Sequence, residues 1–366
     1  MFSPSPEIDP GTPLYYLPYW RFKGVRYTCS PTGVTHQFID ISRMAMTHPP
    51  NRTAISLGLR SQSLALRLIS SETAGTFLTP RDYSQTLAAM DNRFRPGDKT
   101  GFQEDIGETT SLIYAPFYIR DDLMVDGILN KPVGPVETGE SDIRTQQRCR
   151  PEKEIHFLPG LCPSCGWDLT GHSDSLVLVC KNCNTLWRSR GKRLARIRFA
   201  CNRPKNETDV LLPFWQIHAD ISGLDLERYS DLIRFANLPQ MPKPDNDRQM
   251  VSFWAPAFKI RPDIFLRLAT QLAVLQPGDT ANRQLGDHPL APANLPSVEA
   301  VESIRITLGA LMKPARRYLP RLIASKIAPT AIKLVYLPFE SKSHELFHPE
   351  LRVSINKNSL KLSGNL

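Results

Sequence analysis

Four cysteines in the middle of the chain have the spacing of metal ligands. Two residues separate Cys162 from Cys165 and Cys180 from Cys183, and fourteen residues lie between the two pairs. Two thiolates at this spacing can bind one ion from a tight turn, and a second turn completes a tetrahedral shell of four sulfurs. Such a shell suits zinc. The spacing therefore predicts one metal site per chain with these four ligands.

The residues around the cysteines fit the backbone that such turns require. Gly166 and Asn184 each follow a cysteine pair, where the chain must turn left-handed, and Gly and Asn tolerate that conformation best. Residues 171–174 are typical of a turn and residues 175–179 of a strand. Residues 156–188 resemble a zinc ribbon with rubredoxin-like knuckles. The resemblance implies a structural zinc, because four sulfurs leave no coordination position for a substrate; an iron centre of the rubredoxin type is the alternative.

The other three cysteines, Cys29, Cys149 and Cys201, are scattered along the chain. Together with a thiolate metal site, they favour small thiols in a reducing compartment over a disulfide framework. The N-terminal residues lack a basic stretch followed by an apolar run. No stretch approaches the roughly 20 apolar residues of a membrane span. We therefore expect a soluble, cytoplasmic protein without a membrane span.

Three short motifs occur in the same order in both halves of the chain. The paired segments are residues 17–24 with 212–219, residues 59–68 with 260–268, and residues 113–117 with 335–339. Chance could supply any one pair, but three pairs in one order predict an internal duplication. The first motif, LPYWRFKG, alternates as a half-buried strand does, and its proline fits a strand start, a bulge or an edge.

The expected fold class is α+β, with two similar strand-rich units that flank an inserted rubredoxin-like ribbon. The expected domains are a first unit over residues 1–140, the ribbon with a basic hairpin over 155–200, and a second unit over 207–366 with a helical insertion at about 297–327. A hydrophobic content of 41% over 366 residues is enough for more than one core. We expect Trp20 and Trp215 to be equivalent and mostly buried.

Turn residues predict several hairpins. One should turn at residues 30–33, a second at Asp121 and Asp122, and a third at residues 356–358, between two short C-terminal strands. The longest segments with helical periodicity are residues 226–236, 264–275, 298–311 and 315–327.

Basic residues are concentrated around the ribbon. The formal net charge is +9, and residues 141–206 contain 13 Lys or Arg against five Asp or Glu. The candidate contacts to nucleic acid or to a partner are Arg188, Arg190, Lys192, Arg193 and Arg196. These side chains could bind phosphates. The alternative is that they are ordinary solvated residues that flank a hairpin turn.

No set of residues indicates a reaction. The chain lacks Gly-x-Ser-x-Gly, Gly-x-Gly-x-x-Gly, and the His-x-Glu that accompanies Pro-Cys-x-x-Cys in zinc deaminases, so no catalytic residue is assigned. The first hypothesis is a zinc-binding, non-catalytic module for binding or assembly with a protein partner. The second is nucleic-acid binding through the basic ribbon face. The third is an enzyme with a site between the two repeat units.

As a whole, the chain resembles a group of uncharacterised bacterial proteins in which a zinc ribbon stands among Leu-Pro-aromatic-Trp repeats. The resemblance rests on residues 17–24, 212–219 and 254–259, together with the ribbon. It supports the expected domain layout. It implies no activity, because the group has none to transfer.

Overall fold

Strands make up most of the regular structure. The computed structural model describes residues 1–58, 60–70, 73–83, 85–86, 101–151, 157–278 and 284–361. The strands are β1 (Tyr15–Ser30), β2 (Gly33–Met44), β3 (Thr76–Leu78), β4 (Phe102–Arg120), β5 (Leu123–Asp126), β6 (Lys131–Pro135), β7 (Arg148–Cys149), β8 (Val177–Cys180), β9 (Thr185–Arg190), β10 (Arg193–Ile197), β11 (Phe199–Cys201), β12 (Val210–Ile221), β13 (Phe253–Pro256), β14 (Ile327–Ser341), β15 (Glu345–His348) and β16 (Val353–Asn356). The expectation of an α+β, strand-rich protein is confirmed.

The helices among the described residues are concentrated in the second half of the chain. They are α1 (Arg60–Ser63), α2 (Tyr229–Phe235), α3 (Pro244–Arg248), α4 (Pro262–Leu275), α5 (Ser297–Leu311), α6 (Ala315–Ala324) and α7 (Lys357–Lys361). Two of them, α5 and α6, occupy the segment for which a helical insertion is predicted. Within the described ranges, no helix has both the length and the apolar character that crossing a membrane requires.

The described strands form three sheets. The first has the order β6-β5-β4-β1-β3-β7, with β2 also paired to β1. The second is the ribbon sheet, in the order β10-β9-β8. The third has the order β13-β12-β14-β15-β16, with β11 also paired to β14. Hairpin neighbours are antiparallel, whereas β3 and β11 join their sheets in parallel after long connections.

The first compact unit comprises Met1–Gly24, Phe38–Asp98 and Glu108–Ile155. Residues 16–19 of the central strand β1 and residues 113–118 of β4 are buried on both faces, which explains why these two stretches are continuously apolar. On one face, Leu17 and Phe117 belong to a buried cluster. On the other face, Tyr16 stacks on Phe77 with ring centroids 4.6 Å apart, and Tyr114 meets Phe77 edge-on at 5.1 Å.

The second compact unit comprises Val25–Gln37, Lys99–Gly107 and His156–Leu366, and so includes the ribbon. Strands β12 and β14 pair along their whole length, from Val210 opposite Phe339 to Ile221 opposite Ile327. Helices α4 and α5 pack against this sheet. The buried residues of α4 recur three and four positions apart, so one stripe of the helix faces the core.

Two of the three motif pairs lie in neighbouring strands. Residues 17–24 lie in β1 and residues 113–117 in its neighbour β4, while residues 212–219 lie in β12 and residues 335–339 in its neighbour β14. The remaining pair differs in structure. Leu59 lies outside the described residues, and the four-residue helix α1 precedes non-helical chain, whereas the counterpart forms the start of the 14-residue helix α4.

The burial of the two motif tryptophans also differs. Trp215 is fully buried and Trp20 is less completely buried, and both agree with the expectation that they are mostly buried. In both cases the indole nitrogen donates a hydrogen bond of 2.9 Å to a backbone oxygen, that of Arg81 for Trp20 and that of Leu295 for Trp215. The hydrogen bond satisfies the polar end of each ring while the ring itself packs.

The first two predicted hairpins are confirmed, and the C-terminal one is wrong. Strands β1 and β2 flank the first turn, and the left-handed Asp121 and Asp122 form the second, between β4 and β5. At the C-terminus, β16 pairs with the preceding β15. Leu346 lies opposite Ile355, so β16 already has a buried partner, and residues 357–361 form helix α7 instead of a return strand.

One close contact fixes where α5 can lie within the second unit. A Cβ atom built on Gly309 of α5 would lie 2.6 Å from the sulfur of Cys29, which is fully buried. Carbon and sulfur cannot approach so closely without displacement of one element. Gly309 therefore permits the close packing of α5 on this segment of β1.

We expect Gly309→Ala to destabilise the protein by about 1–2 kcal/mol, because overpacking outweighs the gain of about 1 kcal/mol in helix propensity. In a Cys29→Ala background the sulfur is gone, and Gly309→Ala should become neutral or stabilising. Urea unfolding of the two single variants and the double variant measures this coupling. Equal effects of Gly309→Ala in both backgrounds would contradict the packing account.

Candidate metal centre

The first knuckle of the ribbon is a tight backbone loop. Leu161 pairs with Asp168, and the amide of Cys162 donates to the oxygen of Trp167 at 2.7 Å. The amide of Gly166 donates to the oxygen of Cys162 at 2.8 Å and closes the turn. Gly166 has a φ of 73°, which confirms the predicted left-handed conformation.

The second knuckle connects two paired strands. Cys180 ends β8 and pairs with Thr185, the first residue of β9. Asn184 has a φ of 51°, so the second predicted left-handed residue is also confirmed. The strand pairing therefore delivers Cys180 and Cys183 to the same end of the ribbon sheet. The loop of the first knuckle and the β8–β9 hairpin therefore bring the two cysteine pairs together.

The four sulfurs form a compact group. Cys162, Cys165, Cys180 and Cys183 have their sulfur atoms within 4.8 Å of one another. The shortest separations are 3.6 Å between Cys162 and Cys183 and 3.5 Å between Cys165 and Cys180. Sulfurs about 2.3 Å from a central ion in tetrahedral geometry lie about 3.8 Å apart. The four thiols are thus close enough to bind one metal ion with small adjustments.

A buried hydroxyl supports the sulfurs. Thr185 Oγ1 lies 3.0 Å from the sulfur of Cys183 and 3.5 Å from that of Cys162. The indole nitrogen of Trp187 donates to the same hydroxyl oxygen at 2.9 Å. Because the Thr185 hydroxyl oxygen accepts the hydrogen bond from the indole, the hydroxyl can donate its proton in a hydrogen bond to a cysteine thiolate. Hydrogen bonds of this kind orient metal ligands and stabilise their ionised form.

Thr185 and Trp187 are not among the residues predicted from the sequence. A sequence signal exists, however, because both lie shortly after Cys183 on the strand that leaves the second knuckle. Residues two apart on a strand point to one face. Thr185 and Trp187 therefore share the face on which Cys180 lies, since Cys180 pairs directly with Thr185.

The thiols differ in their tendency to ionise. Burial disfavours the Cys162 thiolate, but hydrogen bonds from Thr185 and from the amides of Ser164 and Cys165 outweigh it and lower the pKa of Cys162 to about 6. The amide of Trp167 and the side chain of Asn182 lower the pKa of Cys165. Burial raises the pKa of Cys180 to about 12. A bound cation offsets that penalty and the mutual repulsion of four thiolates, because metal binding displaces thiol protons.

The five predicted basic contacts do not form one face. Arg190 pairs with Arg193 across the β9–β10 hairpin, and Arg188 lies two residues before Arg190, so these three share a side of the sheet. Arg196 lies three positions beyond Arg193 on its strand and points to the opposite side. Lys192 belongs to the turn itself. The alternation of side chains along the strands therefore places the five basic residues on both sides of the sheet and in the turn.

The ribbon is fastened to the segment that leads into α5. The amide of Leu176 donates to the oxygen of Ala293 at 2.8 Å, and the Asn294 side chain donates to Asp174. Val177 and Leu186 belong to the main buried cluster of the second unit. One face of the ribbon sheet therefore belongs to that core, and the opposite face carries the sulfurs.

A buried ion pair in the second unit was not predicted. Arg26 is 2% exposed and makes two hydrogen bonds, of 2.8 and 2.7 Å, to the carboxylate of Asp105. Glu104 pairs with Arg305 at 3.1 Å, and burial raises the pKa of Glu104. The partners lie 79 residues apart in the first pair, so no local pattern could predict it. Bidentate pairing is how a buried guanidinium is normally satisfied.

The remaining cysteines lie apart from the metal centre. Cys29 and Cys201 are buried, and burial raises the pKa of Cys29 to about 11 and that of Cys201 to about 12. Cys149 is half-buried, with its sulfur 3.5 Å from the hydroxyl of Tyr114. High pKa values make the two buried thiols poor nucleophiles.

No protein-family model, curated protein or solved structure matches the chain. The chemistry of the site therefore has to be inferred from its own geometry.

We expect Thr185→Val to weaken zinc affinity about 10- to 100-fold, because the thiolates lose a supporting hydrogen bond while the side-chain volume is kept. Thr185→Ser retains the hydroxyl and should bind nearly as well as the wild type. Cys165→Ser, which removes a ligand, should lose far more affinity and leave the two cores folded. Competition with a chromophoric chelator at constant pH measures all three. Equal affinities for the Val and Ser variants would contradict this role of Thr185.

Proposed function

We propose that the protein binds one structural zinc ion per chain through Cys162, Cys165, Cys180 and Cys183. Four thiolates in a tetrahedral shell suit zinc, and iron is the alternative ion for the same donors. The two left-handed knuckle residues and the Thr185 hydroxyl support this proposal. When bound, the ion would hold the first knuckle to the β8–β9 hairpin. A thiolate centre requires a reducing environment, so we place the protein in the cytoplasm.

We also propose that a rubredoxin-like ribbon stands between two related strand-rich units, as in the bacterial group that the sequence resembles. The support comes from the first and third motif pairs, which lie in neighbouring strands in both copies. The equivalent indole hydrogen bonds of Trp20 and Trp215 add to it. The differing structures of the second motif pair limit the duplication to these strands.

The function that we propose is non-catalytic: a zinc-supported module that binds a protein partner or takes part in assembly. The observation that carries it is the exposed apolar surface of the first knuckle. Leu161 is 50% exposed and Trp167 is 60% exposed, on backbone segments joined by the hydrogen bond from Cys162 to Trp167. Large exposed apolar side chains are candidates for contact with a protein partner, and Trp is among the residue types most enriched in the energetic centres of interfaces.

A catalytic role for the metal is disfavoured by its donor set. Catalytic zinc sites keep one coordination position for water or substrate, whereas four cysteine ligands fill the shell. The described side chains that support the sulfurs are those of Thr185, Trp187 and Asn182, and none of them is a general base.

We expect the double variant Leu161→Ser/Trp167→Ser to lose a specific protein partner while it keeps its zinc. Neither residue is a ligand, and both side chains are largely in solvent, so folding should be little affected. The measurement is quantitative mass spectrometry of proteins co-purified at moderate salt, with metal content determined in parallel. Met241→Ser is the matched control, because Met241 is 85% exposed and lies outside the ribbon. An identical set of partners for all three proteins would contradict the proposal.

Nucleic-acid binding is the second candidate, and the tip of the β9–β10 hairpin favours it. Arg190 and Arg193 are exposed cross-strand partners, and the exposed Lys192 lies between them in the turn. Three cations at one tip could contact a few phosphates. Arg188 and Arg196 extend the tip on opposite sides, so a continuous basic surface is not formed.

We expect weak, nonspecific nucleic-acid binding, with a dissociation constant around 10⁻⁴ M or poorer at physiological salt. Neutralising Arg190, Lys192 and Arg193 together should reduce the salt dependence by about one unit per lost phosphate contact. Anisotropy titrations of labelled single- and double-stranded DNA and RNA at several salt concentrations measure both quantities. A submicromolar affinity at 150 mM salt that is lost in the triple variant would make nucleic-acid binding the primary function.

A further inference from the structure

An apolar cavity lies between the ribbon and the start of α5, entirely within the second unit. Its volume is about 500 Å³. The ribbon contributes Leu176, Val177, Leu178 and Leu194, the segment leading into α5 contributes Leu295, and α5 itself contributes Val298. A volume of this size falls in the range of about 300–1,000 Å³ that is typical of small-molecule sites. Val298 is 66% exposed and marks the mouth of the cavity.

One side of the cavity is polar and positively charged. Among the described residues, Arg188 is the only cation that lines the cavity, and its guanidinium lies 3.3 Å from the hydroxyl of Ser297. The described lining residues include no Asp or Glu. Among the described residues, no carboxylate forms an ion pair with Arg188. The cation therefore has room for an anionic partner.

The N-terminus of α5 adds to the positive electrostatic potential on this side of the cavity. Ser297 is the first residue of this 15-residue helix, and no side chain caps its N-terminus. The first helical backbone bond to Pro296 is made by Ala300, so the amides before Ala300 have no partner within the helix. The positive end of the helix dipole therefore points toward the side of the cavity where Arg188 lies.

We propose that this cavity binds a small amphipathic carboxylate, such as a medium-chain acyl or an aryl acid. The apolar part of the ligand packs on Val177, the direct cross-strand partner of Arg188, and on Leu295 and Val298. Its carboxylate accepts hydrogen bonds from Arg188 and the Ser297 hydroxyl. An apolar body with a single anionic end matches a lining of apolar side chains with one exposed cation, Arg188, because a hydrogen bond between a guanidinium and a carboxylate is stronger than one between neutral groups.

A peptide strand fits the cavity less well than a small ligand. A peptide backbone needs an open strand edge for its hydrogen bonds. Strand β8 pairs with β9 on one side, and Val179 pairs with Thr170 on the other. The amide of Leu176 is bonded to Ala293. The backbone hydrogen-bonding groups of these ribbon residues therefore already have partners. This favours a ligand that contains no peptide backbone.

This ligand site is separate from the proposed partner surface. Leu161 and Trp167 do not line the cavity. The cavity does depend on β8 and β9, whose ends carry cysteine ligands, so the test uses zinc-loaded protein. Failure to bind a carboxylate would leave the partner proposal untouched, and loss of partner binding in the Leu161 and Trp167 variant would leave this site untouched.

The test is calorimetric titration with sodium octanoate, octan-1-ol and octylammonium. We expect saturable binding of one octanoate per chain, weaker binding of the alcohol and no binding of the amine. Arg188→Gln should weaken octanoate about tenfold or more, the loss of one charge-assisted hydrogen bond, and should change octan-1-ol little. Arg190→Gln is the matched control, because Arg190 lies on the same strand face and does not line the cavity.

A second variant tests whether the ligand occupies the cavity. Val298→Trp should fill the mouth and abolish octanoate binding, while the exposed position keeps folding and zinc content unchanged. Three results would overturn the proposal: no saturable octanoate binding, equal affinity for octanoate and octylammonium, or equal losses in Arg188→Gln and Arg190→Gln. Binding of the tripeptide acetyl-Leu-Leu-Leu without binding of octanoate would also overturn it, in favour of a peptide end.

Discussion

Four cysteine sulfurs that must share one small volume set the structure of the ribbon. The apolar cluster around the sulfurs is small: Cys162, Cys180 and Trp187 are buried in it, and Leu169, Cys183 and Leu194 pack against it partly buried. A cluster of this size has too little apolar surface to hold the two knuckles together by burial alone and needs a metal or another crosslink. Four thiolates repel one another without a cation, so the position of the knuckles would depend on the ion that we propose they bind.

The rest of the ribbon follows from the two faces of its small sheet. The face with Cys180, Thr185 and Trp187 belongs to the sulfurs, and the face with Val177 and Leu186 belongs to the core of the second unit. A one-residue shift in the pairing of β8 with β9 would exchange these faces. It would remove Cys180 from the metal centre and expose polar positions to the core at the same time. Metal ligation and core packing therefore select the same register.

Local backbone conformation was predictable from the sequence. The pairing of residues that are distant in the sequence was not. The left-handed conformations of Gly166 and Asn184 follow from residue type and from position after a knuckle. The turn at Asp121 and Asp122 was predictable for the same reason. The C-terminal strand was assigned the wrong partner, because apolar alternation marks a strand without identifying its neighbour. The pairing of Arg26 with Asp105 had no local signal, since it depends on segments 79 residues apart.

A metal centre also changes which side chains a small domain can leave in water. In a ribbon held by a core, Leu161 and Trp167 would be needed inside, because burying each large apolar side chain contributes roughly 1.5–3 kcal/mol. Binding of a structural zinc ion contributes about 10–16 kcal/mol in small zinc-dependent domains, far more than these two side chains could. With the proposed ion bound, the ribbon can therefore keep both residues on its surface without losing its fold. In the module that we propose, the ion that replaces a core thus leaves apolar side chains available to a partner at the knuckle.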